Sequence, residues 1–136
     1  MKRVTADSNI WVSALIWGGK PLQLLELALQ GDIELAVSPP ILNETLRVLS
    51  QKFLLDDVDL HKAEGFILRC ARVVESAGSL HVVQSDPDDN HVIECGVAGD
   101  CDTIVSGDLD LLRVGSFQGI KIQTVSEFLA EFQRPA

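Results

Sequence analysis

Asp7, Glu44, the run Asp86-Pro87-Asp88-Asp89-Asn90, and the pair Asp108 and Asp110 put carboxylates on well-separated stretches of a 136-residue chain. Between Val73 and Leu112 there is no Lys or Arg, yet Glu75, Asp86, Asp88, Asp89, Glu94, Asp100, Asp102, Asp108 and Asp110 all fall inside. A surface that only needs solubility mixes its signs. Acids from separate segments can instead converge on a cation. Oxygen ligands with no accompanying His or Cys cluster suit Mg²⁺ or Mn²⁺ rather than zinc. Without an ion, two carboxylates about 4 Å apart repel by roughly 4 kcal/mol at an effective dielectric of ~20. Such a group would protonate or loosen until a cation joins it. A divalent ion lowers the pKa of the water it holds, and a pair of ions stabilises the attacking and leaving oxygens of phosphodiester hydrolysis. No dedicated general base is then required.

These acids can meet only if the fold gathers them. Residues 3–7 read as a short buried strand ending in an acid, and Ser8-Asn9 turns the chain into an apolar helix over 10–17. Gly18-Gly19 breaks it, Pro21 opens a helix over 22–30, and Gly31 closes that one. A second strand covers 33–37. Ser38-Pro39-Pro40 then reads as an N-cap with Pro at the first helical position, and the helix runs to 52 or 53. Its apolar face holds Ile41, Leu42, Leu46, Val48 and Leu49, with Glu44 at the edge. Ala63, Phe66, Ile67, Cys70 and Val74 recur at helical spacing and predict a helix over 60–74.

A third strand is expected over 80–83, and Pro87 starts a helix on which Asp89, Val92, Ile93 and Gly96 share a face. Strands over 103–105 and 120–124 and a helix over 125–132 complete the pattern. Strands alternating with helices imply right-handed crossovers, hence one α/β domain over 1–136, a three-layer α/β/α sandwich around a parallel five-stranded sheet. Ligands of such sheets sit outside the carboxyl ends of the strands. That rule puts Asp7, the 86–89 stretch and Asp108 at one edge, with Glu44 on a helix that begins there.

Each acid also has a structural reading. Asp86, followed by Pro, reads first as a helix N-cap, and Asp88 as a first-turn acid that complements the helix dipole. Asp89 suits the back-bonding place of a capping box, yet it shares the inward line with Val92 and Ile93. Asp7 lies between an apolar strand and an apolar helix, which favours function. Helix-edge glutamates such as Glu44 are usually solvated. Asp108 and Asp110 suit a turn, and only one of them need be a ligand. His61, His81 and His91 are isolated and read as non-catalytic. Trp11 and Trp17 read as core rather than as platforms for stacked bases.

Composition narrows the setting. The chain is 46% hydrophobic and 23% charged, as ordinary globular proteins are. Its apolar stretches are too short to span a bilayer, and no signal-peptide segment follows Met1-Lys2-Arg3. Cys70, Cys95 and Cys101 are an odd number without metal-type spacing, so reduced thiols and a cytoplasmic location are expected. A net charge of −9 speaks against broad nonspecific binding of nucleic acid through a basic surface, though not against a metal-dependent phosphodiester site. The bases are uneven: Lys20, Arg47, Lys52, Lys62, Arg69 and Arg72 fall ahead of the acidic stretch.

Asp7-Ser8-Asn9 at a strand end, Glu44 in a helix opened by Ser38-Pro39, Asp-Pro-Asp-Asp-Asn at 86–90 and Ile-Val-Ser-Gly-Asp-Leu-Asp at 104–110 together resemble the PIN-domain ribonucleases. The likeness covers nearly the whole chain in the right order and looks closest to bacterial toxin components of toxin–antitoxin pairs. It implies a Mg²⁺- or Mn²⁺-dependent endoribonuclease that cleaves single-stranded RNA. Asp7, Glu44, Asp89 and Asp108 match the family's acidic quartet, as both catalytic and metal-binding residues. Ser8 or Asn9 and Ser106 match its small polar positions, with Asp86 and Asp110 as further auxiliary groups. The third acid could also register on Asn90; helix phasing selects Asp89. An antitoxin partner and self-pairing into a homodimer are further implications. A Mg²⁺-dependent phosphohydrolase or phospho-acceptor is the second enzyme reading, weakened because Asp7-Ser8-Asn9 lacks an acid two residues on. A non-catalytic RNA- or protein-binding module is the third.

Overall fold

The computed structural model describes residues 1–75 and 89–133, with Asp89 described by its backbone alone. Its elements are β1 (Lys2–Ala6), α1 (Ser8–Ile16), α2 (Gly19–Leu29), β2 (Ile33–Val37), α3 (Pro39–Gln51), α4 (Asp57–Cys70) and β3 (Ala71–Val73). Then follow α5 (Asp89–Ala98), β4 (Thr103–Val105), α6 (Leu109–Val114), β5 (Ser116–Phe117), β6 (Ile120–Gln123) and α7 (Val125–Phe132). The expected strand over 80–83 and the helix start at Asp86-Pro87 lie outside the described residues.

The sheet order is β3-β2-β1-β4-β6-β5. All pairings are parallel except β5 with β6, which is antiparallel. The fold class is the expected α/β one, but the described sheet is six-stranded and mixed rather than five-stranded and parallel. Two strands account for the difference. The helix expected over 60–74 ends at Cys70, and Ala71–Val73 continues as an edge strand beside β2. Helical spacing masked this change, because Cys70, Ala71 and Val74 are buried and their spacing also fits one face of a helix. Ser116–Phe117 folds back on β6 through a turn at Gln118 and Gly119, both at positive φ.

Why the centre is buried can be read off β1. Val4, Thr5 and Ala6 are successive residues, so they point to alternate faces, yet all are fully buried. Both faces of the sheet are therefore covered. On one face the Thr5 hydroxyl meets Cys95 of α5 at 3.3 Å. The register aligns the strand ends: Ala6 is opposite Val105, and Thr5 is opposite Ala36. The chain runs outward from β1 to β2 on one side and returns to β4 on the other. That reversal makes the β1/β4 edge the topological switch point, where open sheets of this kind bind ligands.

Local details depart from the sequence reading in three places. α2 starts at Gly19, so Pro21 is its third residue rather than its first. Ser38 has the extended backbone of an N-cap, but its side chain makes no capping hydrogen bond. Trp17 was expected in the core. It is 76% exposed, because α1 stops at Ile16 and Trp17 becomes the C-cap, with Phe53 packed edge-to-face at 6.3 Å. Trp11 is fully buried, as expected.

Candidate metal centre at the strand ends

Asp7 follows β1 directly and is 7% exposed. Its backbone is held at the sheet edge by the N–H to Val105 carbonyl bond of 3.2 Å. The two carboxylate oxygens have separate tasks. Oδ1 caps α1, accepting from the Ile10 N–H at 3.1 Å, and Oδ2 accepts from the Ser106 hydroxyl in a very short bond. Ser106 is fully buried and lies just past β4, with its N–H bonded to the Gln123 carbonyl at 3.0 Å. Its oxygen accepts in turn from the Asp108 N–H at 2.9 Å. Asp108 then caps α6: Oδ1 accepts from the Asp110 and Leu111 N–H groups at 2.8 and 3.3 Å. One hydrogen-bonded chain thus links Asp7, Ser106 and Asp108 across the switch point.

Glu44 comes from α3, whose start follows β2 at the same edge. Its side chain is 24% exposed, and Arg47 Nη2 lies 3.9 Å from Oε1. Burial is the main force on Asp7 and raises its carboxyl from 3.8 to about 6. The bonds from Ser106 and Ile10 pull it back, while the negative charges of Asp108 and Glu44 push it further up. Both charges act on Asp7 in the same direction as burial and more weakly than burial does.

The remaining candidates fall as follows. Ser8 is buried and Asn9 exposed at the start of α1. Asp110 is partly exposed, with Arg113 Nη1 at 3.3 Å. Asp89 is the first residue of α5, and Asp86 and Asp88 lie outside the described residues. Asn90, the alternative third position, is buried. Sequence reasoning missed two groups. The pairing of Arg47 with Glu44 was signalled by the i,i+3 spacing on α3. Glu94 is 4% exposed, and its Oε2 takes no hydrogen bond among the described residues. Its signal was an acid set between the apolar Ile93 and Cys95.

Among the described residues, no group of three or more His, Cys, Asp or Glu side chains stands ready to hold an ion. The donor chemistry nevertheless fits a hard divalent cation. It is oxygen-only, and its most buried member is pushed toward protonation by desolvation and two like charges, which a cation would relieve.

A family profile described as PIN domain matches residues 3–110. No curated protein matches the chain. Among solved structures, the crystal structure of VapBC2 from Rickettsia felis bound to a DNA fragment from their promoter is similar. Its TM-score is 0.64 at 15% identity, covering 90% of this chain and 98% of that one. At that identity the likeness is one of fold.

Proposed function

Because the chain belongs to the PIN domain family, we propose that it is a Mg²⁺- or Mn²⁺-dependent endoribonuclease acting on single-stranded RNA, and the toxin of a toxin–antitoxin pair. The observation that carries this reading is the hydrogen-bonded chain that links a buried Asp7 through Ser106 to Asp108 at the switch point of the sheet. Asp7, Glu44 and Asp108 would hold the ion, with Asp89 on α5 as the fourth acid. A bound ion would lower the pKa of an attacking water and offset charge building on the phosphodiester.

The chain's own groups have definite tasks in this scheme. Ser106 orients Asp7 by donating to Oδ2 and fixes the Asp108 backbone by accepting its N–H. The helix caps made by Asp7 and Asp108 lock both carboxylates before any ligand arrives, which lowers the cost of ordering the site. An antitoxin partner is supported by the similar fold having been solved as VapBC2 on promoter DNA. A cytoplasmic setting agrees with three buried, unpaired cysteines. Among the described residues, no helix is long and apolar enough to cross a membrane.

The test is cleavage of a labelled single-stranded RNA oligonucleotide by the purified protein in Mn²⁺, in Mg²⁺ and in chelator. Cleavage that needs the ion and is lost in Asp7→Asn is the expected result. Release of phosphate from small phosphoesters without RNA cleavage would favour a phosphohydrolase instead.

A further inference from the structure

We infer that Trp17 is a stacking platform for a base of single-stranded RNA, braced by Phe53, at the far end of the helix that Asp7 caps. The inference takes RNA as the substrate from the reading above and adds where a base is held. A tryptophan ring is a large apolar surface, and folding normally hides most of it. Here 76% of Trp17 stays in solvent. The ring is nonetheless held. α1 packs against α3, and Phe53, just past the end of α3, meets Trp17 edge-to-face with centroids 6.3 Å apart and planes at 79°. One such contact cannot cover both ring faces at that exposure. A braced aromatic face open to water suits a nucleic-acid base, and every base has a π-face to offer it.

Charge favours RNA over a protein as the occupant. The chain carries 20 Asp and Glu, yet residues 8–25 and 45–55, the stretches that supply Trp17 and Phe53, contain none. Their charged residues are Lys20, Arg47 and Lys52. Lys20 follows Trp17 by three positions and Lys52 adjoins Phe53; both are exposed and enter no ion pair among the described residues. The first acid after Phe53 is Asp56, whose Oδ1 is turned to the Asp59 N–H at 2.8 Å as the cap of α4. Stacking for the base and ammonium groups for the phosphates is the combination by which proteins hold single strands. The placement also fits. Asp7 is the N-cap of α1 and Trp17 its C-cap. A rise of about 1.5 Å per residue sets them about 15 Å apart along the axis. A few extended nucleotides cover that span.

The experiment reads the ring directly. The chain has two tryptophans and Trp11 is fully buried, so a fluorescence change on adding RNA reports on Trp17. The titrant is a single-stranded oligouridylate, and the parent is Asp108→Asn in Mg²⁺, so that the RNA stays whole. Quenching is expected in the parent. It should be absent from Trp17→Phe, and absent when the strand is supplied as a duplex, whose bases are paired. Anisotropy of a labelled strand should show Kd raised about 10-fold in Trp17→Ala, with Trp17→Phe in between. The salt slope should be unchanged in Trp17→Ala and shallower by about 0.7 in Lys52→Gln. Leu54→Asn is the control. Leu54 is 80% exposed at φ 55°, a backbone that Asn accepts, so the change removes neighbouring apolar area and should leave Kd as it was.

Quenching that persists without Trp17, equal quenching by the duplex, or equal Kd in the parent and Trp17→Ala would overturn the proposal. A loss in Leu54→Asn as large as that in Trp17→Ala would also overturn it, by showing a general apolar contact. Self-association that disappears in Trp17→Ala while RNA binding is unchanged would give the ring to a protein partner instead. Cleavage in Mn²⁺ judges the nuclease reading separately. Equal KM in wild type and Trp17→Ala would sink the platform alone, and quenching without any wild-type cleavage would sink the nuclease alone.

Discussion

At the scale of single residues, Asp7 shows that a helix cap need not occupy a whole carboxylate, so capping does not by itself exclude a ligand role. The sequence poses the two as rivals for Asp86 and Asp89, yet Asp7 gives Oδ1 to its helix and turns Oδ2 to Ser106. Its burial has a consequence for pH. The folded carboxyl sits at about 6 against 3.8 for the ordinary group, so the folded state prefers the neutral form. Stability from this preference is full below about pH 4 and is lost as pH rises through 6, on the order of 3 kcal/mol in all. Melting curves in chelator should therefore show the ion-free protein weakening between pH 4 and 6. Asp7→Asn should flatten that slope and be neutral or stabilising at pH 7.5, while metal-dependent cleavage collapses. A variant that is destabilised in chelator and still cleaves would remove Asp7 from the metal site.

Asp108 allows a finer separation at the same scale. Asn retains an oxygen for the Asp110 and Leu111 N–H groups, whereas Ala does not. Asp108→Ala should lose about 1 kcal/mol from the missing cap, and Asp108→Asn close to none. Both should lose cleavage. Equal stability of the two variants, read by urea denaturation, would show that the cap adds nothing to the six-residue α6.

At the scale of elements, segments set off by turn signals were legible, and those that follow another element directly were not. β1, β2, β4 and most helices could be placed because burial on both faces leaves near-continuous apolar runs. β3 was missed because three residues after a helix have no periodicity of their own, and two-residue β5 has even less. Trp17 was misplaced because hydropathy says nothing of where a helix stops. That Asp7 and Asp108 share an edge was legible because strand ends in parallel sheets lie together; the tie through Ser106 was not, since nothing local encodes a contact 99 residues away. α5 depends on a close approach that Gly96 permits. A Cβ there would stand 3.1 Å from Ile104 Cδ1, tight enough that the fully buried Ile104 would have to give way. Gly96→Val should cost about 1–3 kcal/mol, seen as a lower urea midpoint. A neutral result would mean that α5 shifts freely on the sheet.

For the whole molecule, ion binding would be linked to folding, because a ligand held only by the folded state stabilises it by mass action. Millimolar Mn²⁺ or Mg²⁺ should raise the melting temperature of the wild type, and raise it less after Asp89→Asn. Equal shifts in the two proteins would move the third acid to Asp86 or Asp88.

The hydrogen bond between Ser106 and Asp7 joins the fourth described strand end to the first. On the ribosome these two residues are made far apart in time. A nascent chain ending before β4 carries Asp7 and Glu44 but has neither Ser106 to orient Asp7 nor Asp108 to complete the edge. β1 then also lacks one of its two neighbours in the sheet. Domains fold as units once their distant pairings can close. Asp7 and Asp108 therefore come together only after most of the chain has been synthesised, and on the proposed nuclease reading the order of translation would keep a partly made molecule inert beside the RNA being read.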